Sequence, residues 1–126
     1  MVIVGVKMKK VLIIEDEEPI AKAEGLILEN HFKIHYAKNG KEGYELAKRL
    51  KPDLLILDLM LPERGGYDLC FHFRQDDELK DMKILMVTAL SQGIDKDKGK
   101  LVGANAYLTK PFEPSQLKKL ALELTK

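Results

Sequence analysis

Glu15, Asp16 and Asp58 are carboxylates, Thr88 carries a hydroxyl and Lys110 an ammonium, and each follows directly on a short apolar run. Glu15-Asp16 follows Val11-Leu12-Ile13-Ile14, Asp58 follows Leu54-Leu55-Ile56-Leu57, and Thr88 follows Ile84-Leu85-Met86-Val87. Thr109-Lys110 follows the weaker run Ala106-Tyr107-Leu108. If those runs are strands of one parallel sheet, their carboxyl ends share an edge and these side chains converge. Clustered carboxylates repel and raise one another's pKa, and a divalent cation relieves the conflict. Oxygen ligands with room for water suit Mg²⁺, which keeps several waters and takes few protein carboxylates. A metal site alone has no use for Lys110. A lysine beside carboxylates serves as counter-ion and as partner for an incoming anion, while Thr88 can donate to a phosphoryl oxygen. The set therefore fits phosphoryl transfer to a carboxylate. Taken singly each residue has a plainer role: Asp at a helix start is ordinary capping, and a lone lysine is surface charge. The chemistry rests on their shared position after strands.

Amphipathic stretches separate the runs. Pro19 marks a helix start after an acidic stretch, with Ile20, Ala23, Ile27 and Leu28 following at helical spacing. Asn39-Gly40 opens a second helix through Tyr44, Leu46, Ala47 and Leu50, which Pro52 stops. Gly66 precedes a third through Leu69, Cys70 and Phe73, and Pro114-Ser115 opens the last, with Leu117, Leu120, Ala121 and Leu124 on one face. Between Ser91 and Val102 the apolar positions are only Ile94, Leu101 and Val102, with Gly93 and Gly99 inside the stretch. Glycine costs a helix interior about 0.5–1 kcal/mol relative to alanine, so a short or mobile segment is expected there. Ile34-His35-Tyr36-Ala37 and Ala106-Tyr107-Leu108 read as edge strands. Alternating strands and helices give a parallel sheet covered on both faces.

The chain has 126 residues, 45% hydrophobic and 33% charged, with a net charge of +1. That suits one domain with a real core and excludes disorder. It also lacks the basic excess of a general nucleic-acid binder. A single cysteine, Cys70, permits no intrachain disulfide and fits a reducing, cytoplasmic setting; it reads as a small buried apolar residue. No membrane span is present, and the apolar Val2-Ile3-Val4-Gly5-Val6 ends at Lys7, too short for a signal-peptide core. Residues 1–8 read as an extension, with Met8 an alternative start, and 9–126 as the domain. A lengthened first strand is the other reading.

From Lys9 to Lys126 the chain resembles a response-regulator receiver domain of two-component signalling. The resemblance rests on Val11–Glu17, on Asp53–Pro62 with Gly66, on Val87-Thr88-Ala89, and on Gly103–Phe112. It implies a flavodoxin-like α/β fold with strand order 2-1-3-4-5. By position it implies Asp58 as phosphoacceptor, with Asp16, Glu15, Asp58 and the Met60 backbone carbonyl around Mg²⁺. Thr88, the backbone N–H of Ala89 and Lys110 would contact the phosphoryl group. The Lys110–Pro111 bond would be cis, and Tyr107 would rotate inward as Thr88 moves. A sensor histidine kinase or phosphotransfer protein would be the donor. The output would lie on the face of the fourth helix, fifth strand and fifth helix, and autodephosphorylation by water would reset the switch. Glu15 stands where the family often has Asp, and Asn105-Ala106 where acidic residues are frequent. Asp97 and Lys100 occupy positions expected to be apolar and core-facing, which questions the packing of that output face. The sequence ends with the fifth helix, so the domain is either a stand-alone regulator acting by protein contact, with no direct nucleic-acid or membrane binding, or part of a longer one.

Other motifs fail on chemistry. Gly93 to Lys100 has the wrong glycine spacing for a phosphate-binding loop, and Leu101 follows the lysine where Ser or Thr is needed. His31 and His35 straddle a strand start without cysteine support for zinc and read as exposed polar residues; His72 reads as helix surface, and Lys118-Lys119 as the solvated side of the last helix. An Asp-nucleophile phosphatase needs a second carboxylate near Asp58, and Leu59-Met60 supplies none. A phosphorylation-independent interaction module of the same fold is the alternative; the intact set Asp16, Asp58, Thr88 and Lys110 argues against it.

Overall fold

The computed structural model describes residues 7–126. Residues 1–6, the greater part of the expected extension, lie outside that range, while Lys7 to Lys9 precede the first strand without joining it. Five strands, β1 (Lys10–Ile14), β2 (Lys33–Ala37), β3 (Leu54–Leu57), β4 (Lys83–Thr88) and β5 (Ala106–Thr109), alternate with five helices. These are α1 (Glu18–Leu28), α2 (Gly40–Leu50), α3 (Gly66–Gln75), α4 (Gly93–Val102) and α5 (Pro114–Leu124). All the pairings are parallel, in the order β2-β1-β3-β4-β5.

The continuous apolar runs form the three inner strands because only there are both sheet faces covered. Successive side chains point to opposite faces, which divides the core. Leu12, Ile14, Leu55, Leu57, Ile84 and Met86 pack with Ala47 of α2 and with Leu69, Cys70 and Phe73 of α3. Val11, Ile13, Leu54, Ile56, Leu85 and Val87 pack with Ala21 and Leu28 of α1 and with Leu117 and Ala121 of α5. β2 and β5 are the edges, as their sequences suggest.

Two helical expectations are corrected. α1 buries Ala21, Glu24, Gly25 and Leu28 and leaves Ala23 exposed, so its inward face is rotated from the expected one. Gly25 allows this: a Cβ there would stand 1.9 Å from the Tyr36 hydroxyl oxygen. α4 is a complete ten-residue helix, not a shortened one. Reciprocal bonds between Gln92 and Asp95 cap its start, and Gly103 closes it at φ 107°, a left-handed conformation suited to glycine. Its buried residue is Gly99, where a Cβ would lie 3.0 Å from Met86 Sδ and 3.1 Å from Tyr107 Cδ2. Close approach to β4 and β5 offsets the poor helix propensity of the glycine. Asp97 and Lys100 are therefore exposed, and so are the apolar Ile94 and Leu101, at 62% and 87%.

α4 is tied to α3 by polar contacts. Tyr67 donates its hydroxyl to Asp95 O at 2.8 Å, and the buried Cys70 thiol lies 3.5 Å from Val102 O. The Arg74 guanidinium bonds Gly103 O at 2.9 and 2.7 Å, Lys80 O at 2.8 Å and Asn105 Oδ1 at 2.8 Å. Asn105 Oδ1 also accepts from Ile84 N at 2.8 Å, which gives the amide a structural task. His31 is exposed as expected, but His35 is half-buried, and its Nε2 lacks a partner among the described residues. His35 pairs with Leu12 and so lies on the sheet face that α2 and α3 cover.

Candidate phosphoryl-acceptor site

Each candidate side chain leaves the carboxyl end of a strand or the loop just beyond it. Glu15 and Asp16 follow β1, Asp58 follows β3, Thr88 ends β4, and Lys110 follows β5. The Asp58 N–H donates to Ile14 O at 3.3 Å, and the Lys110 N–H to Thr88 O at 2.8 Å, so the sheet ladder itself extends into the site. The Lys110–Pro111 bond is cis, as expected. Gly66 brings the start of α3 against the acceptor loop: a Cβ there would stand 2.6 Å from Asp58 O and 2.7 Å from Leu59 Cα.

Lys110 Nζ donates to Glu15 Oε1 at 2.7 Å and to Asp58 Oδ2 at 3.0 Å. Asp58 Oδ1 accepts from the Met60 N–H at 3.0 Å, and Glu15 Oε2 from the Glu17 N–H at 3.2 Å. The two acids respond differently. Burial pushes Glu15 up to about 7; Lys110 and the Glu17 amide pull it down, while the adjacent Asp58 carboxylate pushes it further up. Burial also acts to raise Asp58, but the Met60 amide, Lys110 and Glu15 outweigh it and hold Asp58 below the usual carboxylate range. Asp58 is therefore the ionised member, and Glu15 takes up the proton near neutrality. Burial acts to lower Lys110, and its bonds to both acids more than reverse that, so it stays charged.

Asp16, Glu17, Ile20, Asp58, Met60, Ala89 and Lys110 line one open cleft. Five of these were expected from sequence. Glu17 and Ile20 were missed; they enter because the first turn of α1 forms a wall, and the signal was Pro19, which fixes that turn beside the acidic pair. Met60 exposes 60% of its surface at the mouth. Thr88 is fully buried, and its hydroxyl bonds neither Asp58 nor Lys110 but accepts from the Leu90 N–H at 3.4 Å. Tyr107 donates to Leu90 O at 2.8 Å, so both residues meet at Leu90.

A divalent cation fits the donor set, with one qualification from geometry. Among the described residues no three acidic, histidine or cysteine side chains are grouped to hold a metal ion, so the cleft offers two carboxylates, Asp16 and Asp58, beside Met60. Lys110 stands between Glu15 and Asp58, and Asp16 is exposed at the rim. A half-open set with few carboxylates suits Mg²⁺, which retains water, better than it suits Zn²⁺ or Ca²⁺.

Comparison with known proteins agrees with this geometry. The chain is 40% identical over 111 residues to the DNA-binding dual master transcriptional regulator RpaA of Synechocystis sp., covering 87% of this chain and 46% of that protein. It is 38% identical over 110 residues to the alkaline phosphatase synthesis transcriptional regulatory protein PhoP of Bacillus subtilis, covering 86% and 45%. The chain thus spans about half the length of these curated relatives. Among solved structures, the chemotaxis protein CheY4 of Vibrio cholerae superposes with a TM-score of 0.88 at 29% identity, covering 94% of this chain and 99% of that one. Residues 11–122 match the family described as response regulator receiver domain. With the strand order and the acidic cleft already in place, that match makes this chain a member of the response-regulator receiver family.

Proposed function

We propose that Asp58 accepts a phosphoryl group from the phosphohistidine of a sensor histidine kinase or phosphotransfer protein, and that the domain is a phosphorylation switch rather than a turnover enzyme. The observation that carries this is the placement of Lys110 Nζ, 2.7 Å from Glu15 and 3.0 Å from Asp58, at an open cleft. It keeps the Asp58 carboxylate ionised, hence nucleophilic, and supplies a cation for the arriving phosphoryl oxygens. An Asp58 oxygen attacks phosphorus, the P–N bond breaks, and its electron pair returns to the imidazole. Hydrolysis of the acyl phosphate by water restores the carboxylate.

Mg²⁺ would be held by Asp16, Asp58, the Met60 carbonyl and, directly or through water, Glu15, and would supply neutralisation of charge that builds on the phosphoryl oxygens. Lys110 shares that task. The Ala89 N–H and Thr88 hydroxyl would donate to the phosphoryl group. Thr88 must leave its Leu90 contact to do so, and Tyr107 shares that loop residue. Phosphorylation is thereby read out on the face of α4, β5 and α5 as a population shift. Its partner there is a protein, and the kinase donor sets a cytoplasmic location. Among the described residues no helix is long and apolar enough to cross a membrane.

Intact-mass spectrometry after incubation with acetyl phosphate tests this. A Mg²⁺-dependent gain of one phosphoryl group, absent in Asp58→Asn, is expected. No gain in folded protein with Mg²⁺ in excess would leave a phosphorylation-independent interaction module as the better reading.

A further inference from the structure

Arg64 closes a turn that its neighbour makes costly. Its N–H donates to Pro62 O at 2.6 Å across Glu63, which holds φ 66°. A three-residue turn with a left-handed centre is the rare, strained kind, and a residue with a Cβ keeps it only where the surroundings impose it. The turn lies in the loop beyond Asp58. Before it the Met60 N–H donates to Asp58 Oδ1 at 3.0 Å, and after it the Gly66 N–H donates to Leu59 O at 3.1 Å.

The hold comes from the Arg64 side chain. Its Nε donates to Asp68 Oδ2 at 2.7 Å, and its Nη2 lies 2.6 Å from His72 Nδ1. Its Cβ and Cδ would each stand 3.7 Å from a Cβ on Gly40, so the stem rests on the start of α2. The Asp68 pair is open to water, with 68% of that acid's side chain exposed, and such pairs contribute little. His72 is the stiffer partner. It is half-buried, and its ring stacks on Tyr44 with centroids 4.5 Å apart and planes inclined by 25°. Tyr44 in turn stacks on the buried Phe73 at 5.3 Å and donates its hydroxyl to Asp76, which Lys48 also bonds at 2.9 Å.

The chemistry of the Arg64–His72 contact permits one arrangement. A guanidinium offers only N–H donors and keeps its charge in proteins, so His72 Nδ1 is the acceptor. The ring is therefore neutral, with its proton on Nε2. A second proton would occupy Nδ1, set donor against donor and cation against cation, and remove the bond. Around the ring stand Glu63 of the loop, Lys41, Tyr44 and Glu45 of α2 and Asp68 of α3, a set in which carboxylates outnumber cations, so the ring can gain charge in place. We propose that Arg64 and His72 form a proton-released clamp: the neutral ring holds the strained turn after the acceptor strand, and protonation of Nδ1 frees Arg64 and lets Glu63 leave its left-handed conformation. The clamp concerns the loop itself and stands whether or not Asp58 accepts a phosphoryl group.

The test is NMR of the whole chain as wild type, His72→Asn and His72→Phe. Asn sets an amide oxygen near the Nδ1 position and takes no proton, while Phe keeps the stack on Tyr44 and accepts nothing. In the wild type the ring nitrogens should show the neutral form protonated on Nε2, and the Arg64 and Gly65 amides should shift on acidification with the same midpoint as the ring. In His72→Asn those amides should stay still through that midpoint. In His72→Phe, at neutral pH, the Arg64 amide should exchange roughly two- to tenfold faster than in the wild type, the effect of losing one hydrogen bond, while the central strands keep their protection. Should a His72 variant fail to fold, Arg64→Met opens the clamp from the loop side and should leave the Gly65 amide unmoved as the ring titrates. A neutral ring protonated on Nδ1, a wild-type ring that titrates while the loop amides hold still, or equal exchange in wild type and His72→Phe overturns the proposal.

Discussion

Tyr107 donates its hydroxyl to the carbonyl of Leu90 at 2.8 Å, and the N–H of the same Leu90 faces Thr88 Oγ1 at 3.4 Å. One loop residue therefore joins the hydroxyl proposed to bind the phosphoryl group with the aromatic ring of β5. Removing the phenol in Tyr107→Phe should cost about 0.5–1.5 kcal/mol, the usual net worth of one hydrogen bond. Amide exchange should speed up locally at Leu90 to Asp95 while the central strands keep their protection. Uniform acceleration across the sheet would show that Tyr107 acts only through global stability.

Lys110→Met leaves two buried acids without their cation. Breaking a buried pair by removing one member typically costs about 3–5 kcal/mol. The loss should be largest near pH 8 and smaller near pH 5, where Glu15 takes a proton and one charge disappears. Urea denaturation at the two pH values checks this, and equal losses at both would contradict it. The variant should also fail to gain mass with acetyl phosphate.

Asp58→Asn bears on the sharing of the proton. Burial keeps Glu15 high, but the Asp58 hydrogen bond and charge add to that rise. The variant should lower the Glu15 midpoint from about 7 toward the ordinary carboxylate range. Carboxyl-carbon NMR reads this directly, and an upward movement would show that Glu15 does not sense Asp58.

Glu24 gives a pH dependence of stability with a defined sign. Burial raises its folded pKa to about 8, above the ordinary 4.5 of a glutamate. Between those values the native state holds a proton that the unfolded chain has released, so stability falls as pH rises through the window. Glu15 adds to the same trend over a narrower range. Glu24→Leu removes the Glu24 part and should stabilise the protein at pH 8–9 by roughly 1–4 kcal/mol, with little gain near pH 4. Thermal unfolding across pH measures it, and a gain that does not vary with pH would assign the effect to packing alone.

Two glycines should respond differently to alanine. At Gly66 the new Cβ meets backbone, Asp58 O and Leu59 Cα, which cannot step aside without moving the acceptor loop. At Gly99 it meets Met86 Sδ and the Tyr107 ring edge, which are side-chain atoms that can shift. Gly66→Ala should lose about 1–3 kcal/mol. Gly99→Ala should be near neutral, because improved helix propensity of about 1 kcal/mol offsets the crowding. Chemical denaturation of both variants decides the matter.

The strands and the convergence of acids and lysine at one sheet edge were legible because one-dimensional signals specify them. Four apolar residues followed by a polar one fix both an inner strand and the residue at its end. Helix orientation was less legible. In α1, Ala23 fits the expected stripe by type, yet Glu24 is the buried neighbour, because Gly25 lets Tyr36 dictate the helix rotation. In α4 the apolar count pointed outward to Ile94 and Leu101, while the true contact is Gly99, whose value lies in having no side chain. Neither fact has a periodic signature. The buried Nε2 of His35 is a third case, since half-burial at a sheet edge depends on what the adjacent helix covers.

The bonds of Arg74 make the two ends of α4 unequal. At the far end the guanidinium grips Gly103 O with two hydrogen bonds and continues to Asn105, which is itself locked to Ile84. At the near end the helix is held by its own Gln92–Asp95 cap and by the single Tyr67 bond to Asp95 O. A rod clamped at one end has its fulcrum there. A rearrangement that began at Thr88 and Leu90 would then meet less restraint at Ile94 than at Val102. The exposed side chain of Ile94 would serve as the pointer of the gauge.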